Sequence, residues 1–509
     1  MVVTAPVSLD GASLTTAAVA AIADQGATVV LTEDAKARVH ASRAVVDRMA
    51  AGDAAVYGIN TGFGSFADVR IAPDALDALQ VNLLRSHAAG VGDPLPVPIV
   101  RAMMVLRANV LARGHSGVRH ETLDLLIAML NASVHPVVPS RGSVGASGDL
   151  APLAHLALVL IGEGEVQTST GRIAGAEALA RAGLSPVRLA PKEGLALING
   201  TQASTAVLAL ALVEAQRLAR AADIVAALSI DVLRGSTRPF DARIHAARPH
   251  AGQVDSAANI ARLMEGSAIN RSHANCGRVQ DAYSERCASQ VHGACRDALT
   301  FIGRTVEIEA NASTDNPMVF ADTGEIVSGG NFHGAPIGLG ADLLAAAVTH
   351  IATISERRAE RLVNPALSDL PAFLTLHGGL ESGLMLAQVT AAALASELKA
   401  LAHPVSVDTI PTSANKEDHV SMSMAAALKA AAAVRLATLV VAVELLCASE
   451  ALDLLSPLTT SSPLTAVHAH VRSRVARRTG DRPPSPDIEA IAAMIAAGAL
   501  DHIVGPLVN

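Results

Sequence analysis

From about residue 201 onward, long runs of Ala, Leu and Val are broken by three short polar stretches, 234–252, 311–334 and 404–419, which predicts long helices joined by loops. Residues 421–455 show the pattern most clearly. Leu436, Val440, Val443 and Cys447 recur at helical spacing, Leu439, Val441 and Leu445 fill other faces, and Pro457 sets the stop. A helix that is apolar on most faces belongs in an interior. The rival is a membrane span, but Lys429, Arg435, Glu444 and Glu450 interrupt the roughly twenty apolar residues a span requires. A bundle or a subunit interface is therefore expected. The first two hundred residues differ, because shorter helical stretches alternate with Gly-rich and Pro-rich loops at 57–64, 88–98 and 135–152. The pattern predicts a mainly α protein with a loop-rich N-terminal region, 1–200, and a long central helical bundle with C-terminal helices, 201–509. No linker separates the two.

Composition narrows this picture. A chain of 509 residues with 2% aromatics carries its apolar half on Ala, Leu and Val, which favours helices packed closely through small side chains. The net charge of −8 is spread among interspersed acids and bases, so neither nucleic acid nor a membrane surface is expected as a partner. The first residues lack a basic region leading into an apolar stretch, which predicts a cytoplasmic protein. Cys276, Cys287, Cys295 and Cys447 show no paired Cys-x-x-Cys spacing and are expected to be reduced thiols in or near the core. His-Glu-x-x-His, a glycine-lysine phosphate loop and Gly-x-Ser-x-Gly are all absent, so no metal is expected and a nucleophile-elbow hydrolase loses its signature.

The candidate chemistry centres on Gly145-Ala-Ser-Gly-Asp-Leu150. If the Gly148 nitrogen attacks the Ala146 carbonyl carbon, a five-membered ring closes, and loss of two waters turns the Ser147 side chain into an exocyclic methylidene. The product is 4-methylideneimidazol-5-one, an electrophile. Gly148, lacking a Cβ, can adopt the compressed backbone this closure needs. By itself the triplet also reads as a plain turn before a helix opened by Asp149, Leu150 and Pro152. The chain's two tyrosines lie in motif-like segments, Tyr57-Gly-Ile-Asn-Thr-Gly-Phe-Gly64 and Val279-Gln-Asp-Ala-Tyr-Ser-Glu-Arg286. Each is suited to acid–base work or to packing with a hydrogen-bonded hydroxyl. Arg286 stands three residues after Tyr283, one helical turn away, and offers the planar donor pair that carboxylate recognition needs; an exposed structural arginine is the alternative.

The block Arg141-Gly-Ser-Val-Gly-Ala-Ser-Gly-Asp-Leu-Ala-Pro-Leu-Ala-His155, running into Ile161-Gly-Glu-Gly-Glu165, resembles the prosthetic-group segment of the aromatic amino acid ammonia-lyase family. The resemblance continues through Arg238-Pro-Phe-Asp-Ala-Arg-Ile-His245, Gln388-Val-Thr-Ala-Ala-Ala-Leu-Ala-Ser-Glu397 and Val405-Ser-Val-Asp408, almost the whole chain. It implies an ammonia-lyase/fumarase-like fold, a homotetramer whose sites combine loops from three subunits, and the methylidene-imidazolone group made from Ala146, Ser147 and Gly148, without metal or soluble cofactor. It further implies Tyr57 as the base that takes a β-proton and Tyr283 as its assistant beside the prosthetic ring. Arg286 and Gln280 would hold the substrate carboxylate, Asn199 would bond the ring or that carboxylate, and Phe332 would line the pocket. Taken alone, Asn199-Gly reads as a turn and Phe332 as a core side chain.

Two positions bear on the substrate. His87, in Arg85-Ser86-His87-Ala-Ala-Gly, and Glu417, in Pro411-Thr-Ser-Ala-Asn-Lys-Glu417, match residues that face imidazole in the histidine-specific members, where phenylalanine and tyrosine lyases present other groups. An imidazole has a polar rim that needs partners once buried. The resemblance therefore implies elimination of ammonia from L-histidine to give urocanate. Its rivals are a tyrosine or phenylalanine ammonia-lyase, a 2,3-aminomutase with the same group, and, more remotely, a catalytically silent helical scaffold. Ala282, Glu285, Leu398 and Lys416 depart from the histidine-specific pattern, and Lys416 matters most because a cation there would shift or redirect Glu417.

Overall fold

Small side chains and long apolar periods produce what the sequence leads one to expect, a mainly helical fold with a few very short strands. The structure, a computed structural model, describes residues 6–508 without Asp53, Asn275 and Cys276; the expectation for the Cys276 thiol lies outside the described residues. The chain forms two compact units. The first takes the chain up to Val213 together with Gly303–Asp342 and Pro404–Leu428, and the second takes Glu214–Ile302, Leu343–His403 and the chain from Lys429 onward.

In the first unit, the helix Val97–Ala112 is buried at every position from Val100 to Ala112. An interior helix has to satisfy its charged groups locally. Arg107 does so by donating to Asn199 O (3.0 Å), Gln202 Oε1 (2.6 Å) and Ala196 O. Four small sheets clip the loops around this core. Val7–Leu9 runs parallel to Val29–Leu31, Val91–Pro94 pairs antiparallel with Pro139–Arg141, His135–Pro136 joins Glu165–Thr168 and Gly171–Ala174, and Met318–Phe320 pairs with Glu325–Val327. Lys192 and Asp315 form a fully buried ion pair (2.9 Å), which only close partnering makes tolerable.

The second unit is a bundle of long helices. The helix expected over 421–455 spans Ser423–Leu454, with Val440, Val441, Val443, Leu445 and Cys447 fully buried and Leu436 and Leu439 half-buried. Polar cross-links tie its members together: Glu444 accepts from Arg358 Nε (2.5 Å), Arg358 Nη2 (2.9 Å) and Ser229 Oγ (2.6 Å), while Asp223 accepts from Arg296 (2.6 Å) and Ser256 (2.6 Å). The helices Ala335–Val363 and Ser423–Leu454 are long and apolar enough to cross a membrane, yet 67% of each apolar window is buried within the protein. Cys295 and Cys447 are buried free thiols and Cys287 is a half-buried one. Burial pushes the Cys295 thiol up to about 12, so it stays protonated at neutral pH.

Candidate active site

Four helices of the fold begin beside the bend that carries Ala146, Ser147 and Gly148. Leu150–Leu160 follows it directly, and Gly148 bridges to Gly200 just ahead of Gln202–Val232. Gly334 N, at the start of Ala335–Val363, donates to Gly145 O (3.2 Å), and Met422 N, at the start of Ser423–Leu454, donates to Val144 O (2.8 Å). Each helix N-terminus carries roughly half a positive charge, so the bend sits in a field that favours negative charge. Its backbone is close-packed. Gly148 has φ +75°, and a Cβ there would lie 2.3 Å from Gly200 O. Asn199 Nδ2 donates to Ser147 O (2.8 Å), while Asn199 Oδ1 is buried without a partner.

Ser147 Oγ donates to Glu417 Oε1 (2.6 Å), and Thr412 Oγ1 donates to Glu417 Oε2 (2.5 Å). Burial of Glu417 pushes its carboxyl up, but hydrogen bonds from Ser147, Thr412 and Ser413 prevail and hold it below the usual range. His87 ends the helix Leu76–His87, where its Nδ1–H donates to Leu83 O (2.9 Å) and leaves Nε2 as an acceptor. Burial pulls the pKa of His87 down, so the ring is neutral at neutral pH. Tyr57 lies in the turn after Val56, its ring edge-on to Phe63 at 6.3 Å. Burial pushes the Tyr57 hydroxyl up, the Gly64 backbone N–H pulls it down, and the Glu417 charge pushes it further up; the net direction is upward. Groups of the resting chain thus do not supply the lowering that a tyrosine base requires. Phe332 is half-buried two residues before Gly334, and Lys416, beside Glu417, is exposed.

Tyr57, His87, Ser147, Asn199, Phe332 and Glu417 all belong to the first unit, whereas Gln280, Tyr283 and Arg286 belong to the second. There Tyr283 and Arg286 form a pair of their own, while Gln280 is exposed. Tyr283 is 71% exposed and the Arg286 guanidinium lies over its ring at 4.6 Å, which is cation–π geometry. The turn Tyr283–Arg286 is pinned from behind by Arg358, which donates to Ser284 O (3.1 Å), and by the ion pair of the buried Glu285 with Arg361 (2.8 Å).

Sequence reasoning missed two groups here. Asp149, read only as a helix opener, makes no side-chain cap on its own helix; its buried carboxylate accepts from Ser143 Oγ (2.8 Å), Ser204 N (2.7 Å) and Ser204 Oγ (2.8 Å). Thr412 and Ser413 stood in the motif around Glu417 but were read as context. The signal was present, since two hydroxyl residues preceding an expected buried carboxylate are its nearest donors.

The family model for aromatic amino acid lyases matches residues 14–473. A histidine ammonia-lyase of Anaeromyxobacter sp. (strain K) is 55% identical over 502 residues, covering 97% of this chain and 99% of that protein. The crystal structure of histidine ammonia-lyase from Trypanosoma cruzi superposes with a TM-score of 0.92 at 43% identity, over 99% of this chain and 96% of the other. Tyrosine aminomutase from Streptomyces globisporus superposes with a TM-score of 0.94 at 37% identity, over 98% of each chain. With a matching family model over most of its length and relatives this similar, the chain belongs to the aromatic amino acid lyase family.

Proposed function

We propose that this protein eliminates ammonia from L-histidine to give trans-urocanate, using a 4-methylideneimidazol-5-one group formed from Ala146, Ser147 and Gly148. The observation that carries the reading is the pairing of an ionised Glu417 with a neutral His87 next to Ser147. A neutral imidazole has a single ring N–H, which Glu417 accepts, while His87 Nε2 is a further acceptor for another donor of the substrate. The residues also fit the group. The tight contact of Gly148 with Gly200 leaves no room for a side chain, and the orphaned Asn199 Oδ1 beside Ser147 is an acceptor awaiting a donor.

When formed, the group supplies an electrophile that makes the substrate's ammonium a competent leaving group. The remaining tasks fall to the chain's own side chains. Tyr57 takes the β-proton, and Tyr283 assists. Arg286 binds the substrate carboxylate with support from Gln280, Asn199 bonds the ring or the carboxylate, and Phe332 lines the pocket. We further propose a cytoplasmic homotetramer in which each site draws loops from three subunits, with the N-terminal region carrying the prosthetic group. Exposed Phe301, Ile308, Leu339 and Leu386 supply apolar surface for such association.

The test is incubation with L-histidine, L-tyrosine and L-phenylalanine, following urocanate and cinnamate absorbance and chromatographing for β-amino acids. Glu417→Gln exchanges a charge-assisted hydrogen bond for a neutral one and should lower the ratio of kcat/KM for histidine over phenylalanine by about tenfold or more. A wild-type preference for tyrosine or phenylalanine, or a β-amino acid product, would overturn the reading. The aminomutase outcome is kept in the assay because the tyrosine aminomutase superposes as well as the histidine ammonia-lyase does.

A further inference from the structure

We propose that Thr412 is a positioning residue for substrate selection, its hydroxyl fixing the Glu417 carboxylate in the orientation that receives the substrate's imidazole. The inference rests on the histidine reading above. Glu417 is held at both oxygens, by Ser147 at Oε1 and by Thr412 at Oε2. These donors have different fates, and Ser413, the third hydroxyl that bears on Glu417, shares that of Thr412. Formation of the prosthetic group consumes the Ser147 hydroxyl, whereas Thr412 is untouched by that chemistry. After maturation, Oε1 is released toward the ligand while Oε2 remains fixed by Thr412.

The local backbone is built for the same end. Thr412 N donates to Glu417 O (3.0 Å) and Glu417 N to Thr412 O (3.4 Å), closing a bridge around Ser413, Ala414 and Asn415. All three have left-handed backbone, at φ 50°, 53° and 68°. Non-glycine residues persist in that region only where surrounding contacts over-determine them, and three in succession bring Thr412 directly beside the carboxylate. The charged and titratable groups that bear on Glu417 are His87 from the helix Leu76–His87 and Tyr57 from the 57–64 turn, with Lys416 and Asp418 flanking it in the chain.

The experiment compares wild type, Thr412→Val and Thr412→Ser as mature proteins whose loss of two waters has been verified by intact mass. kcat and KM for histidine and phenylalanine are measured across pH. Thr412→Val should lower kcat/KM for histidine by roughly ten- to a hundredfold, the effect of one hydrogen bond to a charged group, and leave the smaller phenylalanine value unchanged. Activity that needs an ionised Glu417 is lost as pH falls through its pKa. Removing a donor to the carboxylate raises that pKa, so the acid limb for histidine should move to higher pH. Thr412→Ser should restore both ratio and limb, and Thr412→Ala carries the test if the valine variant does not fold. An unchanged ratio and limb, or equal losses on both substrates, would overturn the role of Thr412. Wild type inactive on histidine would instead overturn the functional reading on which it rests.

Discussion

Gly148→Ala separates the geometry of the bend from its chemistry. The added Cβ would meet Gly200 O at 2.3 Å, C at 2.5 Å and N at 2.6 Å, all backbone atoms, while real Cβ contacts essentially never fall below 3.0 Å. Something must therefore move, and the neighbours cannot rotate away as a side chain would. The cost has two parts. Holding alanine at φ +75° costs on the order of 1–2 kcal/mol. Displacing Gly200 also breaks the 2.7 Å bond from Asp149 N to Gly200 O, about 1 kcal/mol more. The sum, about 2–3 kcal/mol, is a sizeable share of a typical domain's 5–15 kcal/mol but not all of it. The variant should fold with a lowered Tm and keep its full unmodified mass. Ser147→Ala is the reference: it leaves the backbone alone, so it should also keep the unmodified mass but melt near wild type. Intact mass spectrometry and thermal melts of the three proteins, side by side, decide the matter. A Gly148→Ala protein with wild-type Tm and the mass loss of two waters would refute the argument.

Tyr57→Phe keeps the ring packed against Phe63 and removes the hydroxyl, so kcat on histidine should fall by at least about a hundredfold with KM little changed; steady-state turnover near wild type would reassign the proton transfer. Glu444→Leu leaves Arg358 unpaired in a fully buried setting, and chemical denaturation should show a loss of about 3–5 kcal/mol, whereas a loss under about 1 kcal/mol would mean that water reaches the guanidinium.

What was legible in the sequence follows from the range of each interaction. The 423–454 helix was readable because helical periodicity is a local signal that survives over thirty residues. The paired strands were not, since segments of two to four residues carry no period and acquire partners only through tertiary contacts. The Ala146-Ser147-Gly148 triplet could be proposed as the source of the electrophile because that chemistry restricts residue types. Asp149 could not be placed, for its partner Ser204 lies 55 residues away and no pattern links them. Asn199 shows both sides: the Asn-Gly pair announced a turn, but that its amide reaches the Ser147 carbonyl is a fact of packing. Lys416 was expected to matter as a cation beside Glu417, yet it is exposed, and it is the hydroxyls of Ser147, Thr412 and Ser413 that hold the carboxylate ionised.

Glu417 also makes the proton transfer proposed for Tyr57 harder, with a measurable consequence. The ionised carboxylate that suits an imidazole pushes the Tyr57 hydroxyl up, in the same direction as burial. The resting protein therefore holds tyrosine protonated, and the opposing influence is the Gly64 N–H. On the proposed reading, a substrate ammonium bound beside Tyr57 would add positive charge and favour its ionisation. Replacing Glu417 by Gln removes one of the two upward influences. For phenylalanine, which asks nothing of an imidazole partner, the rising limb of kcat against pH should then shift to lower pH in Glu417→Gln, even as histidine turnover falls. If the limb stays where it is in wild type, then either Tyr57 does not take the proton or Glu417 does not govern its charge, and the Tyr57→Phe variant tells the two apart.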